Sequence, residues 1–545
     1  MGALTIYKLQ LTESLFPAQT DEDLREITVG NLLREIAAHR PDACALVEVD
    51  IEGATGRAWT YKQFLDDSEK LAFALSSRFS PGERLVIYAP SVPKWLLMEY
   101  ACALCGVVLV TANPAYQEKE LRFILEQSGA VGLFHTDSFR GNPLTKIARQ
   151  AAAGLDVVRE IVDIHDNEAL HRTGKRDIGL PEVKPGDAAM IQYTSGTTGF
   201  PKGAVLTHRG LVNNARFYAG RLGVCGDSVW ANIMPLFHTA GCGMVSLGCL
   251  QAGCKMLLIP VFDPSVVTQL IEREKVTTIL GVPTMMVALI DALEQETQNM
   301  ASVKMISSGG SMVAPDLVRK IKIVFGCDFG TVYGQTETSP VITQHHHDDT
   351  MDDICTTIGQ PLPQTSVAIR SIADNHVVPL DTVGEICVKG YCNMIGYHAN
   401  PKATAQAVDP QGWLHTGDLG TMDARGFLRI TGRVKDMIIR GGENLFPAEI
   451  ENVLLEHPSV TEVSVVGLPD DKWGEVVACF IRSESTDALD PAELHAYCRE
   501  RLAPQKTPTV WCAVDAFPLT GSGKIQKFSL REGYLAGQYQ PLINE

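Results

Sequence analysis

The sequence has no excess of positive charge. Its 47 Lys and Arg face 64 Asp and Glu, a net charge of −17. That balance argues against general nucleic-acid binding and against docking on an anionic membrane, while leaving room for a local basic pocket. A long uninterrupted apolar run is also missing. The longest, 95–112, is broken by Glu99 and Gly106 and reads as a helix followed by a buried strand, so no membrane span is expected. The N-terminus, Met1-Gly-Ala-Leu-Thr-Ile6, lacks the charged-then-apolar pattern of a secretory signal, and Ile6 breaks the myristoylation pattern. No internal repeat or low-complexity tract occurs. The 14 cysteines do not form a spaced framework; many sit in apolar runs, as buried thiols of a reduced, cytoplasmic protein do. Cys102 and Cys105 have CxxC spacing but no second pair, and they fall within a helical apolar pattern, so they are expected in the core.

What is present is size and alternation. A chain of 545 residues is too long for one hydrophobic core and implies two or more domains. Residues 29–127 alternate helical and strand patterns, with strands at 84–88 and 107–110 and helices at 94–105 and 117–127. A second alternating block spans 206–344, where Asp263 is placed to cap a helix over 264–274. Such alternation predicts parallel sheets covered by helices. Residues 155–185 are more polar and are expected as surface connections. Short Val-, Ile-, Gly- and Pro-rich segments over 359–428 suit a barrel-like all-β unit. Beyond Arg433 a small α+β unit is expected, with helices at 448–455 and 491–502 and strands at 460–466 and 475–481.

The most distinctive stretch is Tyr193-Thr-Ser-Gly-Thr-Thr-Gly-Phe-Pro-Lys-Gly203, directly after the apolar run 188–192. Gly196, Gly199 and Gly203 let the backbone bend and approach a ligand. The hydroxyls of Thr194, Ser195, Thr197 and Thr198 can cradle phosphate oxygens, and Lys202 adds a point charge. It is not a Walker A loop, which needs Gly before the Lys and Ser or Thr after it. Four hydroxyls and a lysine between apolar segments favour a nucleotide-phosphate loop over a flexible linker.

Further motifs follow in order: Pro235-Leu-Phe-His-Thr239, Tyr333-Gly-Gln-Thr-Glu337, Trp413-Leu-His-Thr-Gly-Asp418, Gly432-Arg-Val-Lys-Asp436 and Gly521-Ser-Gly-Lys-Ile525. With the phosphate loop they resemble the adenylate-forming superfamily, which includes acyl-CoA synthetases, aryl-CoA ligases and peptide-synthetase adenylation domains. The resemblance covers most of the chain. It implies an α/β fold: a large N-terminal domain (1–434) of two doubly wound α/β subdomains plus a small β-barrel, then a small mobile α+β C-terminal domain (435–545) pivoting at Lys435. The implied reaction has two steps. A carboxylate attacks the α-phosphorus of ATP and expels pyrophosphate, and a thiol then attacks the acyl-adenylate and releases AMP. No protein nucleophile is needed, so positioning and charge stabilisation must carry catalysis.

The resemblance assigns roles residue by residue. Thr194, Ser195, Gly196, Thr197, Thr198, Gly199 and Lys202 belong with the triphosphate. Gly309, Gly310 and Ser311 line the adenine and acyl sites, as do Tyr333, Gly334, Gln335 and Thr336, with the Tyr333 ring against adenine and the Thr336 hydroxyl on the α-phosphate. Asp418 accepts from the ribose hydroxyls, and Arg433 donates to ribose or phosphate. Glu337, with Thr194, is the expected Mg²⁺ site. Lys524 acts on the charge developing at the α-phosphate and carboxylate, so Lys524, Glu337, Thr194 and Lys202 form the expected catalytic set. His238 and Gly310 are expected at the acyl pocket or gate, and Gly441, Gly442 and Glu443 along the CoA channel. His345-His-His-Asp-Asp349 has metal-ligand residue types, but adjacent histidines do not readily converge on one ion, and a surface loop is expected.

An ATP-dependent acid–CoA ligase is therefore expected, with ATP and Mg²⁺ as cofactors, CoA as co-substrate and a homodimer as a permitted arrangement. Segments 232–244, 281–286 and 307–313, with Cys242, Met244, Met285 and Met286, suit a medium-chain, branched or aromatic acid. Two alternatives stand beside it: transfer of the acyl group to a carrier protein, and a catalytically inactive nucleotide-binding homologue. The residues after Phe237 lack the Asp that pairs with an amino-acid substrate in peptide-synthetase domains.

Overall fold

The computed structural model describes residues 6–173, 179–194, 201–296, 298–483, 489–519 and 525–542. The first alternating block builds a seven-stranded sheet in the order Gly396–Tyr397, Lys202–Thr207, Ala188–Thr194, Val108–Ala112, Arg84–Tyr88, Gly132–His135, Glu160–Asp163. Its inner strands are parallel. Helix Pro93–Cys105 is buried on nearly every side, including Trp95, Cys102 and Cys105, which is why its sequence shows a continuous apolar run instead of a stripe. The polar stretch 155–185 is not connection alone. It supplies the edge strand Glu160–Asp163 and the short helix Asn167–Leu170, both too short to leave a periodic signature.

The second sheet has nine strands, in the order Gln360–Pro361, Val341–Gln344, Asp328–Gly334, Met305–Gly309, Thr278–Gly281, Val229–Asn232, Lys255–Leu258, Cys44–Val49, Thr55–Thr60. The two blocks are thus not consecutive in the chain. The hairpin 44–60 leaves the first block and completes the second sheet, Leu46 pairing in parallel with Met256. Parallel pairing across such a separation leaves no local trace in sequence. Asp263 caps helix Pro264–Glu274 as expected, accepting from the Ser265 and Val266 amides.

The all-β segment forms a five-stranded antiparallel sheet: Leu15–Phe16, Thr365–Arg370, Gly384–Gly390, Leu414–Met422, Leu428–Arg433. One helix, Pro401–Ala407, interrupts it. The C-terminal unit is built on the long antiparallel pair Glu462–Asp470 and Gly474–Arg482. Alternation splits it into two small cores. Val465 and Cys479 face Ile450, Leu454 and Leu494, whereas Val466 and Ala478 face Cys512 and Leu530. All the described cysteines are free thiols, and Cys102 and Cys105 lie in the core. Among the described residues no helix is long and apolar enough to cross a membrane.

The 345–349 segment departs from the expected surface loop. His345 and His346 are buried, and His347 and Asp348 are exposed. The Nδ1 of His345 accepts the Thr331 amide at 3.2 Å and its Nε2 meets Thr357 Oγ1 at 2.9 Å. Burial pushes its imidazole down to about 4, so it sits as a neutral core histidine.

Candidate functional site

Strands Ala188–Thr194 and Lys202–Thr207 form an antiparallel hairpin in which Thr194 stands opposite Lys202. Ser195, Gly196, Thr197, Thr198 and Gly199, the tip of the expected phosphate loop, lie outside the described residues. The Thr194 hydroxyl donates to the Lys202 carbonyl at 3.4 Å. Gly203 has a packing role instead of a ligand-facing one: a Cβ there would come within 2.8 Å of the Ile191 side chain and 3.1 Å of the Tyr193 ring.

Lys202 reaches across the sheet edge to a residue that no sequence motif singled out. Its Nζ lies 5.2 Å from the ring centroid of Tyr397, within cation–π range. The Tyr397 hydroxyl donates to Glu337 Oε1 at 2.7 Å. The two-residue strand Gly396–Tyr397 pairs with Val205 and Ala204, which brings Tyr397 there. Burial, then the neighbouring Glu337 charge, pushes the Tyr397 phenol well up, so it remains a donor. Glu337 is itself buried, on the turn Thr336–Thr338, and the Met394 amide donates to its carbonyl at 2.8 Å.

Four residues before Glu337, Tyr333 anchors a second cluster. Its hydroxyl donates to Asp418 Oδ2 at 2.9 Å, while Arg433 Nε lies 2.9 Å from Asp418 Oδ1. Strand register sets this pair, because Asp418 stands directly opposite Arg433. Burial, reinforced by Asp418, pushes the Tyr333 phenol up. Burial works against the Arg433 charge, but Asp418, Asp436 and Tyr333 outweigh it and raise its basicity. Both clusters therefore stand at the end of the single strand Asp328–Gly334. In open α/β sheets the C-terminal strand ends are where ligands bind.

Beside that strand end the backbone is crowded where glycine occurs. A Cβ on Gly309 would sit 2.1 Å from the Val332 carbonyl oxygen, and one on Gly334 would sit 1.9 Å from that of Pro340. Gly310 and Ser311 are exposed immediately beyond; Gln335 and Thr336 are half-buried. His238 is exposed; its Nδ1 accepts the Ala240 amide at 3.1 Å. It precedes Ala240–Ser246, wound as a π-helix, a rare form frequent at functional sites. Cys242, Met244 and Met286 are buried in the cores, whereas Met285 is partly buried against both. Only Met285 of these four thus keeps exposed surface.

Lys435 is exposed in the turn Val434–Asp436, between strand Leu428–Arg433 and Ile438–Arg440 of the C-terminal unit. Gly441 and Gly442 form the two-residue turn of the hairpin pairing Arg440 with Glu443, at φ of +61° and +87°. Two successive positive φ values there favour glycine on backbone grounds alone. The Gly441 amide donates to the Trp473 carbonyl at 2.7 Å. The Trp473 ring, 43% exposed, lies with Arg440 5.5 Å and Lys472 5.0 Å from its centroid. Sequence reading missed Trp473; an exposed tryptophan in a turn is its only signal. Lys524 lies outside the described residues.

Two family models cover this architecture. That for the AMP-binding enzyme matches residues 33–398, and that for the AMP-binding enzyme C-terminal domain matches 449–524. The chain belongs to the AMP-binding enzyme family. Among relatives of this AMP-binding enzyme, YngI of Bacillus subtilis (strain 168) is 36% identical over 94% of the chain and 97% of its own length. Human ACSF2, a mitochondrial medium-chain acyl-CoA ligase, is 34% identical over 94% of the chain and 88% of its own. The o-succinylbenzoate CoA synthetase MenE of Bacillus subtilis, solved with its acyl-adenylate intermediate, is 30% identical with a TM-score of 0.81, covering 93% of this chain and 99% of that one. The same synthetase has been solved with ATP and magnesium ion.

Proposed function

We propose that this AMP-binding enzyme is an ATP-dependent acid–CoA ligase whose acid is a medium-chain carboxylate, and that the two clusters at the end of strand Asp328–Gly334 divide the nucleotide between them. That pairing of clusters on one strand end carries the reading. Asp418 takes the ribose hydroxyls: each carboxylate oxygen already accepts one donor and keeps a lone pair for another. Tyr333, fixed by its hydroxyl, offers its ring to the adenine, and Arg433 faces ribose or phosphate. Gly310, exposed just beyond strand Met305–Gly309, carries no side chain that would fill the adenine's place.

On the other side, Lys202 and the Thr194 hydroxyl face the phosphates together with Ser195, Thr197 and Thr198. Tyr397 holds Glu337 Oε1 and leaves Oε2 for a hard cation, a donor set suited to Mg²⁺. Bound there with Thr194, the ion would neutralise phosphate charge. Lys524 stabilises the carboxylate's attack on the α-phosphorus. Rotation at Lys435 then exchanges Lys524 for Gly441, Gly442 and Glu443, with Trp473 beside them, on the thiol side. The domain boundary falls at Lys435. His238 and Gly310 border the acyl site. The medium-chain assignment follows the human relative.

The test is thioester formation across straight-chain acids of about two to sixteen carbons, a range wide enough to exceed the 1–3 kcal/mol that one methylene changes. A maximum in kcat/KM at medium length supports the reading. A maximum at the shortest acids, or none at any length, contradicts it.

A further inference from the structure

The bulged stretch of strand that delivers Asp418 is held by groups the nucleotide chemistry does not otherwise use. Strand Leu414–Met422 runs antiparallel to Gly384–Gly390 with Cys387 opposite His415, and the register slips between Glu385 and Cys387. The slip places the Glu385 carboxylate against the bulged strand residues His415-Thr416-Gly417. Oε2 of Glu385 lies 2.7 Å from His415 Nδ1, and Oε1 accepts the Gly417 amide at 2.9 Å. Thr416 Oγ1 donates to the Ile386 carbonyl at 2.8 Å and accepts the Asp418 amide at 3.1 Å. Gly417 takes φ +72°, a conformation other residues adopt only under strain.

The far edge of the imidazole is also charged. His415 Nε2 is 4.0 Å from Asp409 Oδ2, which takes Arg370 Nη1 at 3.1 Å. Arg370 in turn lies 4.4 Å from the Trp413 ring centroid. With the Cys387 thiol 3.5 Å from Nδ1, the titratable and charged groups facing His415 are Glu385, Asp409, Arg370 and Cys387. Glu385, Asp409 and His415 side chains are 16%, 9% and 22% exposed, so solvent screens them weakly. The hydrogen bond to Glu385 raises the imidazole above its ordinary range against the opposing effect of burial.

The ligand atoms of Glu385, Cys387 and His415 lie within 4.8 Å of one another, as metal ligands can. The 2.7 Å separation is nevertheless that of a hydrogen bond, shorter than the about 3.3 Å edge of a tetrahedral site with 2.0 Å bonds. Burial also keeps the Cys387 thiol protonated.

We propose that Glu385 and His415 are positioning residues for ATP: the imidazolium bridging Glu385 and Asp409, with Glu385 gripping the Gly417 amide, aims the Asp418 carboxylate at the ribose. This rests on the reading of Asp418 as the ribose ligand. The interaction is strongest with His415 protonated and weakens as pH rises through its pKa.

The experiment is ATP–pyrophosphate exchange and thioester formation by the full-length enzyme, from about pH 5.5 to 9, which brackets histidine titration. The variants are His415→Ala, His415→Gln, Glu385→Gln and, as reference, Asp418→Asn, each checked for folding by thermal melting. His415→Ala is expected to raise KM for ATP about tenfold or more, the loss of one charge-assisted hydrogen bond, with KM for acid and CoA within about twofold. Wild-type KM for ATP rises at alkaline pH. His415→Gln, which keeps a donor to Glu385 but does not titrate, gives a flat profile and a milder defect. The proposal fails if the His415 and Glu385 variants keep a wild-type KM for ATP while Asp418→Asn does not, if all three KM values shift together, or if His415→Gln retains the pH dependence. An unchanged KM in Asp418→Asn overturns instead the ribose reading beneath it.

Discussion

Tyr397→Phe isolates one bond in the site. The ring stays, and with it the contact to Lys202 at 5.2 Å; only the hydroxyl that donates to Glu337 at 2.7 Å is lost. Glu337 is 8% exposed, so water does not readily replace that donor. A hydrogen bond to a buried charged group is worth about 1.5–3 kcal/mol, which corresponds to roughly 10- to 150-fold in rate if Glu337 acts in adenylation. The assay is ATP–pyrophosphate exchange measured against Mg²⁺ and against ATP. We expect the rate to fall within that range and half-saturating Mg²⁺ to rise, because Glu337 loses the donor that fixes its orientation. KM for the carboxylic acid should stay near the wild-type value. Tyr397→Leu should lose a further 0.5–2 kcal/mol or so through the missing ring. A Tyr397→Phe enzyme with wild-type rate and Mg²⁺ dependence refutes the reasoning, as does a defect confined to the acid.

Three other outcomes follow. Asp418→Ala removes both the ribose acceptor and the partner of Arg433, and kcat/KM for ATP should fall by roughly 10²- to 10⁴-fold as two charge-assisted hydrogen bonds go; a change below tenfold counts against the role. Trp473→Ala should raise KM for CoA in thioester formation and leave pyrophosphate exchange unchanged; a defect in exchange places Trp473 elsewhere. Stability should fall on acidification, since burial holds His208 and His345 down at about 4 against 6.5 in the unfolded chain. A depressed folded-state pKa gives stability that is full above pH 6.5 and lost towards pH 4, roughly 3 kcal/mol for each histidine. His208→Gln should flatten the fall in Tm across that window; an unchanged slope contradicts it.

Most of the residues proposed for phosphate and ribose were legible as candidates because they sit in short contiguous motifs. Tyr333 lies at the end of strand Asp328–Gly334 with Glu337 four residues on, in the turn that follows, and Asp418 and Arg433 face each other across adjacent strands. Tyr397 was not legible. It reaches Glu337 through a two-residue edge strand paired to a segment far away in sequence, which no spacing rule encodes. Nor was the hairpin 44–60, whose parallel partner is Lys255–Leu258. His345 and His346 were read as a surface loop because adjacent histidines do not readily converge on one ion; here the segment joins a core strand to the helix Met351–Thr356, and Thr331 and Thr357 satisfy His345. Gly441 and Gly442 show the reverse case: the residues were singled out for close approach to a thiol arm, and hairpin geometry already favours them.

The central claim is two-step acid–CoA ligation. The direct measurement is AMP, pyrophosphate and thioester formed across a panel of carboxylic acids, with and without CoA, by the wild type and Lys524→Ala. The account predicts stoichiometric AMP and CoA thioester with medium-chain acids, pyrophosphate exchange without CoA, and loss of that exchange in Lys524→Ala. Pyrophosphate release with no CoA thioester from any acid would contradict it.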